Sequence, residues 1–181
     1  MKQLHSIGTQ DSLIDYVDRP TVKVIVQNSD GNILIINDGL IPGGGVEGDE
    51  NNSSALKREL LEELGIEVTN QQELGSVIQH RNLIKRKYIV YGYSAVYKDK
   101  VTHPTPQNDR EAHFSYDWYS LQDAEQLLRS SISKASDGFE KHKTSDMEST
   151  LFNLMTTQLF LDSFAESSKL VSERLPTTTN Q

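Results

Sequence analysis

The chain has 181 residues, is 35% hydrophobic, carries a net charge of −8 and contains no cysteine. That length favours one domain with a substantial core, and the lack of cysteine excludes thiol catalysis, disulfides and thiolate metal sites while agreeing with a cytoplasmic location. The acidic balance argues against general nucleic-acid binding, and no run approaches the ~20 apolar residues of a membrane span.

The first residues, MKQLHSIGTQDSL, hold one early lysine and no apolar stretch, so they do not read as a signal peptide. Residues 1–19 lack a clear period and read as a lead-in. Residues 21–27 (TVKVIVQ) are rich in β-branched side chains and predict a strand. Asp30-Gly31 is a turn signal and residues 33–36 are apolar, which together predict a hairpin. Pro42-Gly43-Gly44-Gly45 is incompatible with an ordinary helix or central strand. Residues 51–54 offer N-cap side chains and Gly65 a C-terminal stop. Between them Leu56, Leu60 and Leu64 recur at helical spacing and predict an amphipathic helix.

Further strands are predicted at 75–79, 87–97 and 112–119. A short helix is predicted at 121–129, a polar loop at 130–146 and a long helix at 147–165, with Leu151, Leu154, Met155 and Leu159 on one side. Past Glu166 the chain ends in Pro-Thr-Thr-Thr-Asn-Gln. The expected organisation is one α/β domain over 1–165 and a flexible tail over 166–181.

The chemistry concentrates in the first helix. Helical geometry places Glu59, Glu62 and Glu63 within an arc of roughly 100°. Three carboxylates on one face repel each other, and hard divalent cations relieve that repulsion. The glycine-rich turn just upstream lets a backbone approach a ligand closely and offers a carbonyl to a metal. A metal platform beside such a turn suits phosphoryl chemistry, which needs charge neutralisation and an activated water.

The same segment fits the pattern G-x5-E-x7-R-E-U-x-E-E-x-G-U, with U apolar, at every fixed position: Gly44, Glu50, Arg58, Glu59, Leu60, Glu62, Glu63, Gly65 and Ile66. Ile41-Pro42-Gly43 and the hairpin precede it, and Trp118-Tyr119-Ser120-Leu121 resembles a W-x-S-L segment that often closes the last strand of the same fold. On these residues the chain resembles the Nudix hydrolases, the MutT-like family. The resemblance implies an α/β/α sandwich with a mixed β-sheet and an Mg²⁺- or Mn²⁺-dependent pyrophosphohydrolase. The substrate it implies is a nucleoside diphosphate linked to another moiety: a nucleoside triphosphate, an ADP-sugar or a dinucleotide. It further implies Glu59, Glu62, Glu63 and the Gly43 carbonyl as metal ligands, with one glutamate acting as base in some members. Arg58 and Glu50 resemble the pair that holds helix and loop together. Glu111, in a loop before the strand with Trp118, resembles a loop glutamate that binds metal or acts as base in several members. Asp117 is a weaker rival for that role.

Other candidates have plainer readings. Arg81, Lys85, Arg86 and Lys87 crowd one hairpin; they can grip phosphates, but a turn kept soluble by charge is the simpler reading. Tyr88, Tyr91, Tyr93 and Trp118 read mainly as core, and His80 as a surface residue. Subfamily markers are mostly negative: no proline lies between Ile66 and His103, where many ADP-ribose pyrophosphatases carry one, and no SQPWPF array follows the motif. Isopentenyl diphosphate isomerases of this fold use a cysteine, which is absent. The implied partner is a small nucleotide, without membrane or general nucleic-acid contacts, and a homodimer is compatible with the reading. The alternative is a catalytically silent Nudix domain that senses a nucleotide metabolite, but such regulators usually carry a degraded motif and an added DNA-binding module.

Overall fold

The computed structural model describes residues 1–105 and 114–174. Its strands are β1 (Gln3–Ile7), β2 (Val17–Gln27), β3 (Ile33–Ile36), β4 (Ile66–Arg81), β5 (Arg86–Lys100) and β6 (Tyr116–Tyr119). Its helices are α1 (Asn52–Leu64), α2 (Leu121–His142) and α3 (Ser145–Arg174). The strands form one mixed sheet in the order β1-β4-β5-β2-β3-β6. β1 runs parallel to β4 and β2 parallel to β5, while the other neighbouring pairs are antiparallel.

Period-two alternation along β2 builds the layers. Val22, Val24 and Val26 pack with Ala55, Leu56, Leu60 and Leu64 of α1. Ile25 faces the opposite side, with Leu128 of α2 and Leu151, Phe152, Leu154 and Phe160 of α3. The sheet is thus covered by α1 on one face and by α2 and α3 on the other, the sandwich expected from the sequence. Among the described residues no helix is long and apolar enough to cross a membrane.

Local signals place α1 where its caps require. The Asn51 side chain accepts from the Ser54 amide, and Gly65 closes the helix at φ 68°. At the other end of the fold, Ser120 caps α2 by accepting from the Asp123 amide, and Trp118 packs edge-on to Tyr97 at 5.5 Å between centroids.

Four expectations change. The presumed lead-in contains β1 and the start of β2, because β1 finds its partner in β4, far along the chain, where local periodicity carries no signal. The polar loop expected at 130–146 is helical to His142. Its apolar side chains Leu128, Ile132, Ala135 and Phe139 keep helical spacing and pack on the core despite the polar residues between them. The last strand is shorter than expected, beginning at Tyr116. Helix α3 continues past Ala165 to Arg174, and the rest of the expected tail lies outside the described residues.

Docking of α3 depends on a close approach. Phe160 is fully buried, and a Cβ at Gly92 of β5 would overlap its ring. Removing the ring in Phe160→Ala should therefore cost about 3–5 kcal/mol of stability. Adding the methyl in Gly92→Ala should cost about 1–3 kcal/mol through overpacking. Urea denaturation at fixed pH checks both, and a Gly92→Ala protein as stable as the parent would show that the ring yields freely.

Candidate active site

The glycine-rich turn lies alongside β2 as an irregular edge. The Val22 amide donates to the Gly44 carbonyl at 2.9 Å, the Val24 amide to Pro42 at 3.1 Å, and the Val46 amide to Pro20 at 3.1 Å. The Gly43 carbonyl lies along the chain between the two that β2 takes as acceptors, those of Pro42 and Gly44. It accepts from Lys23 Nζ, which also donates to the Ile41 carbonyl at 3.0 Å. Gly43 sits at φ 123°, and a Cβ there would collide with the Val22 carbonyl, so only glycine fits. Next to it, a Cβ on Gly44 would overlap the Glu59 carboxylate; the acid rests directly on the turn.

Helix α1 brings its acids to this turn from the other side. Glu59 and Glu63 are 8% and 7% exposed, unusually dry for carboxylates without a saturating set of cations. Glu63 accepts from the Gly43 amide at 2.8 Å. Arg58 holds the rest. Its guanidinium donates to both oxygens of Glu50, at 2.7 and 3.3 Å. It also donates to Glu59 and Glu62 at 3.0 Å each, and to the Gly45 carbonyl at 2.8 Å. The loop before the helix and the acidic face of the helix are thereby fastened by one side chain.

The electrostatics follow from these contacts. Hydrogen bonding to Arg58 holds the Glu50 carboxyl below its usual range, and Glu50 in turn raises the Arg58 guanidinium. Glu59 goes the other way: burial, and then the neighbouring Glu63 charge, push it up to about 7 against the pull of Arg58 and Lys23. An acid near this turn is short of positive charge. Among the described residues, however, no three acids converge on one point; Glu59 and Glu62 turn to Arg58, and Glu63 to Gly43.

The cavity between turn and helix is lined by Glu47, Arg58, Glu59, Glu62, Glu63 and Gly43–Gly45, with Arg19, Lys23 and Asn153 on its far side. The structure thus gathers Gly43, Arg58, Glu59, Glu62 and Glu63. Glu111 lies outside the described residues. Asp117 is exposed on β6 and is not among the residues that line this cavity. Two expectations are corrected. Arg81 is no solvated turn residue: it is buried, stacks on Tyr88 at 3.9 Å and bonds Gln79, Ser149 and Asn153. His80 is buried too, edge-on to Tyr16. Lys85 and Arg86 are exposed, as expected of a charged turn, and Lys87 pairs with Asp18 at 2.9 Å.

Arg19, Lys23 and Asn153 were missed. For the first two a signal existed: Arg19, Thr21 and Lys23 alternate with Pro20, Val22 and Val24, so three polar residues share one face of a strand whose other face carries Val22, Val24 and Val26.

An irregular glycine edge, a fastened acidic helix and a mixed sheet between helices together define a class of phosphate-handling α/β domain. The sequence pattern of the NUDIX domain matches residues 17–138, and the chain belongs to that family. A Nudix hydrolase from Nitrosomonas europaea shares the fold, at 16% identity and a TM-score of 0.51 over 62% of this chain and 79% of that one. The chain is also similar to the MutT protein of Methanosarcina mazei Go1 (22% identity, TM-score 0.48, 61% of this chain and 82% of that one covered) and to the ORF135 protein of E. coli (29%, 0.47, 61% and 79%). No curated protein sequence matches the chain.

The raised Glu59 carboxyl sets a pH dependence for the metal-free protein. The native state holds a proton that the unfolded chain releases near pH 4.5, and gives it up only near pH 7. Between those values the native state binds more protons, so this group's contribution to stability falls as pH rises. In excess chelator, urea denaturation between pH 5 and 8 should show a shallower decline for Glu59→Gln than for the parent. Superimposable pH curves for the two proteins would place the proton elsewhere.

Proposed function

We propose that this chain is a divalent-metal-dependent pyrophosphohydrolase that cleaves a phosphoanhydride bond in a nucleoside diphosphate linked to another moiety. Membership of the Nudix family supports the class of reaction. The observation that carries the reading is the buried carboxylate pair Glu59 and Glu63 set against the Gly43–Gly45 turn, in one cavity with Arg58 and Glu62.

Nudix hydrolases generally work with divalent cations such as Mg²⁺, and the residues present fit one. The donors are hard oxygens, the carboxylates of Glu59, Glu62 and Glu63 and the carbonyl of Gly43. Burial drives Glu59 towards its protonated form, a penalty that a cation beside it removes. Bound there, Mg²⁺ or Mn²⁺ would neutralise non-bridging phosphate oxygens and acidify a water.

The chain's own groups do the remainder. Glu59, Glu62 and Glu63 would hold the cation from one helix face. Arg58 orients Glu59 and Glu62 by donating to both. Lys23, resting on the Gly43 carbonyl, is placed to move onto a phosphate oxygen when that carbonyl is needed elsewhere. Glu111 is our candidate for the base that takes the proton of the attacking water, since a second acid must approach from outside the helix face. The work would be that of a cytoplasmic enzyme acting on small nucleotides, within a unit formed by residues 1–165.

The direct test is a panel of nucleoside triphosphates, ADP-sugars and dinucleotides incubated with Mg²⁺ or Mn²⁺, reading monophosphate and phosphate products. Turnover should vanish in excess chelator and return with either metal; full activity in chelator would sink the mechanism. Glu62→Gln keeps shape and removes one charge, and should lower kcat by at least ~10²-fold.

Glu111→Gln should also reduce kcat strongly, shift the acidic limb of the pH–rate profile and leave the melting temperature nearly unchanged. Full activity with an unchanged profile would move the base to Glu59, Glu62, Glu63 or Asp117.

A further inference from the structure

A second cavity, of about 230 Å³, adjoins the acidic one and lies between the sheet and α3. The two share Arg19, Lys23, Asn153 and the glycine turn, and each has three cationic side chains in its lining, but they differ in their acids. The first is walled by four glutamates. The second has no acidic residue in its lining and three cationic ones, Arg19, Lys23 and Arg81.

We propose that this second cavity takes a further phosphate group of the substrate, outside the diphosphate that is cleaved. The inference rests on the hydrolase reading and narrows its substrate class. Arg19 and Lys23 share the face of β2 that looks to α3, on the same side as Tyr88 and Val90 of β5. Arg19 is exposed at the rim, and no described residue accepts a hydrogen bond from its guanidinium. Arg81 supplies charge from a fixed position in the wall. Three neutral side chains, Gln79, Ser149 and Asn153, orient it, and the buried Glu148, which is not in the cavity lining, interacts with its charge.

Neutral donors complete the lining. Asn153 spends its Oδ1 on Arg81 at 2.7 Å, which leaves the Nδ2 hydrogens without an acceptor among the described residues. Thr156, 3% exposed, accepts from Gln79 at 2.6 Å and keeps its own hydroxyl hydrogen to donate. Donors and cations without a carboxylate suit a phosphate. A nucleobase is less well served, because one face of Tyr88 is already covered by Arg81. Asn153 and Thr156 come from α3, beyond residue 138 where the family match ends.

The phosphate can be one carried on a nucleoside ribose or the end of a polyphosphate chain. Equilibrium binding to the full chain in excess chelator separates them, with NADPH against NADH for the first and ATP against ADP for the second. The phosphorylated member of at least one pair should bind at least about tenfold more tightly. Arg19→Gln should abolish that preference while leaving affinity for the other member within about twofold, and Arg19→Lys should retain part of it. Equal affinities within both pairs, or no binding at all, would overturn the proposal. So would an Arg19→Gln protein that weakens both members alike, since Arg19 would then touch the shared diphosphate. Binding in chelator needs no turnover. Hydrolysis of the substrate panel with no preference in binding therefore sinks this inference alone, whereas a clear preference with no turnover on any diphosphate sinks the hydrolase reading.

Discussion

Arg58 is the contact on which the site depends. One guanidinium joins Glu50 from the loop, Glu59 and Glu62 from the helix face, and the carbonyl of Gly45 from the turn. A helix that gathers three acids on one side is opposed by their repulsion, and a glycine-rich loop has more conformational freedom to lose than any other. Arg58 answers both problems at once, because a planar fork can satisfy several acceptors in fixed directions where an ammonium cannot. It does not remove the strain entirely. Glu59 still lies too deep and too near Glu63 to ionise easily. The remaining deficit of positive charge is the property a divalent cation would exploit.

Strand β2 converts this local arrangement into a site. Its even positions, Val22, Val24 and Val26, are spent on the core beneath α1. Its odd positions, Arg19, Thr21 and Lys23, stand on the opposite face and line cavity. The same strand carries the glycine turn along its edge, taking the carbonyls of Pro42 and Gly44 as acceptors. One strand therefore serves as core, as edge for the turn and as a row of cations. A one-residue slip in its register would exchange valines for charges throughout.

What could be read in advance was what depends on short range. The spacing from Gly44 to Ile66 fixes acids, cap and helix within one segment, so α1, its Asn51 and Gly65 ends and the grouping of Glu59, Glu62 and Glu63 were all legible. The Thr21–Gln27 pattern likewise announced a strand. Long-range choices were not legible. Arg81 follows His80 in a stretch that looks like a charged hairpin, and only the meeting of β4 with α3 shows that Arg81 turns inward to Asn153. β1 has no amphipathic signature because it is defined by its partner, β4. The second half of α2 hid a regular apolar stripe, from Leu128 to Phe139, under a polar average. Glu111 lies outside the described residues, and its proposed role as base comes from the family resemblance alone.

The division of charge between the two cavities bears on how an acidic protein holds a polyanion. A net charge of −8 opposes the approach of any nucleotide at long range, and the glutamates of α1 oppose it again at contact. A cation bridging those glutamates would reverse the sign at one end of the ligand. Arg19, Lys23 and Arg81 would reverse it at the other without any metal, and of the three only Arg81 is buried, where a lower local dielectric strengthens its charge. Under this proposal a cation held by the glutamates would meet the diphosphate, while the basic end, whose lining has no acid to activate water, would meet the further phosphate. Because the basic wall is completed by Asn153 and Thr156 of α3, the proposed preference between substrates would depend on side chains beyond residue 138, where the family match ends.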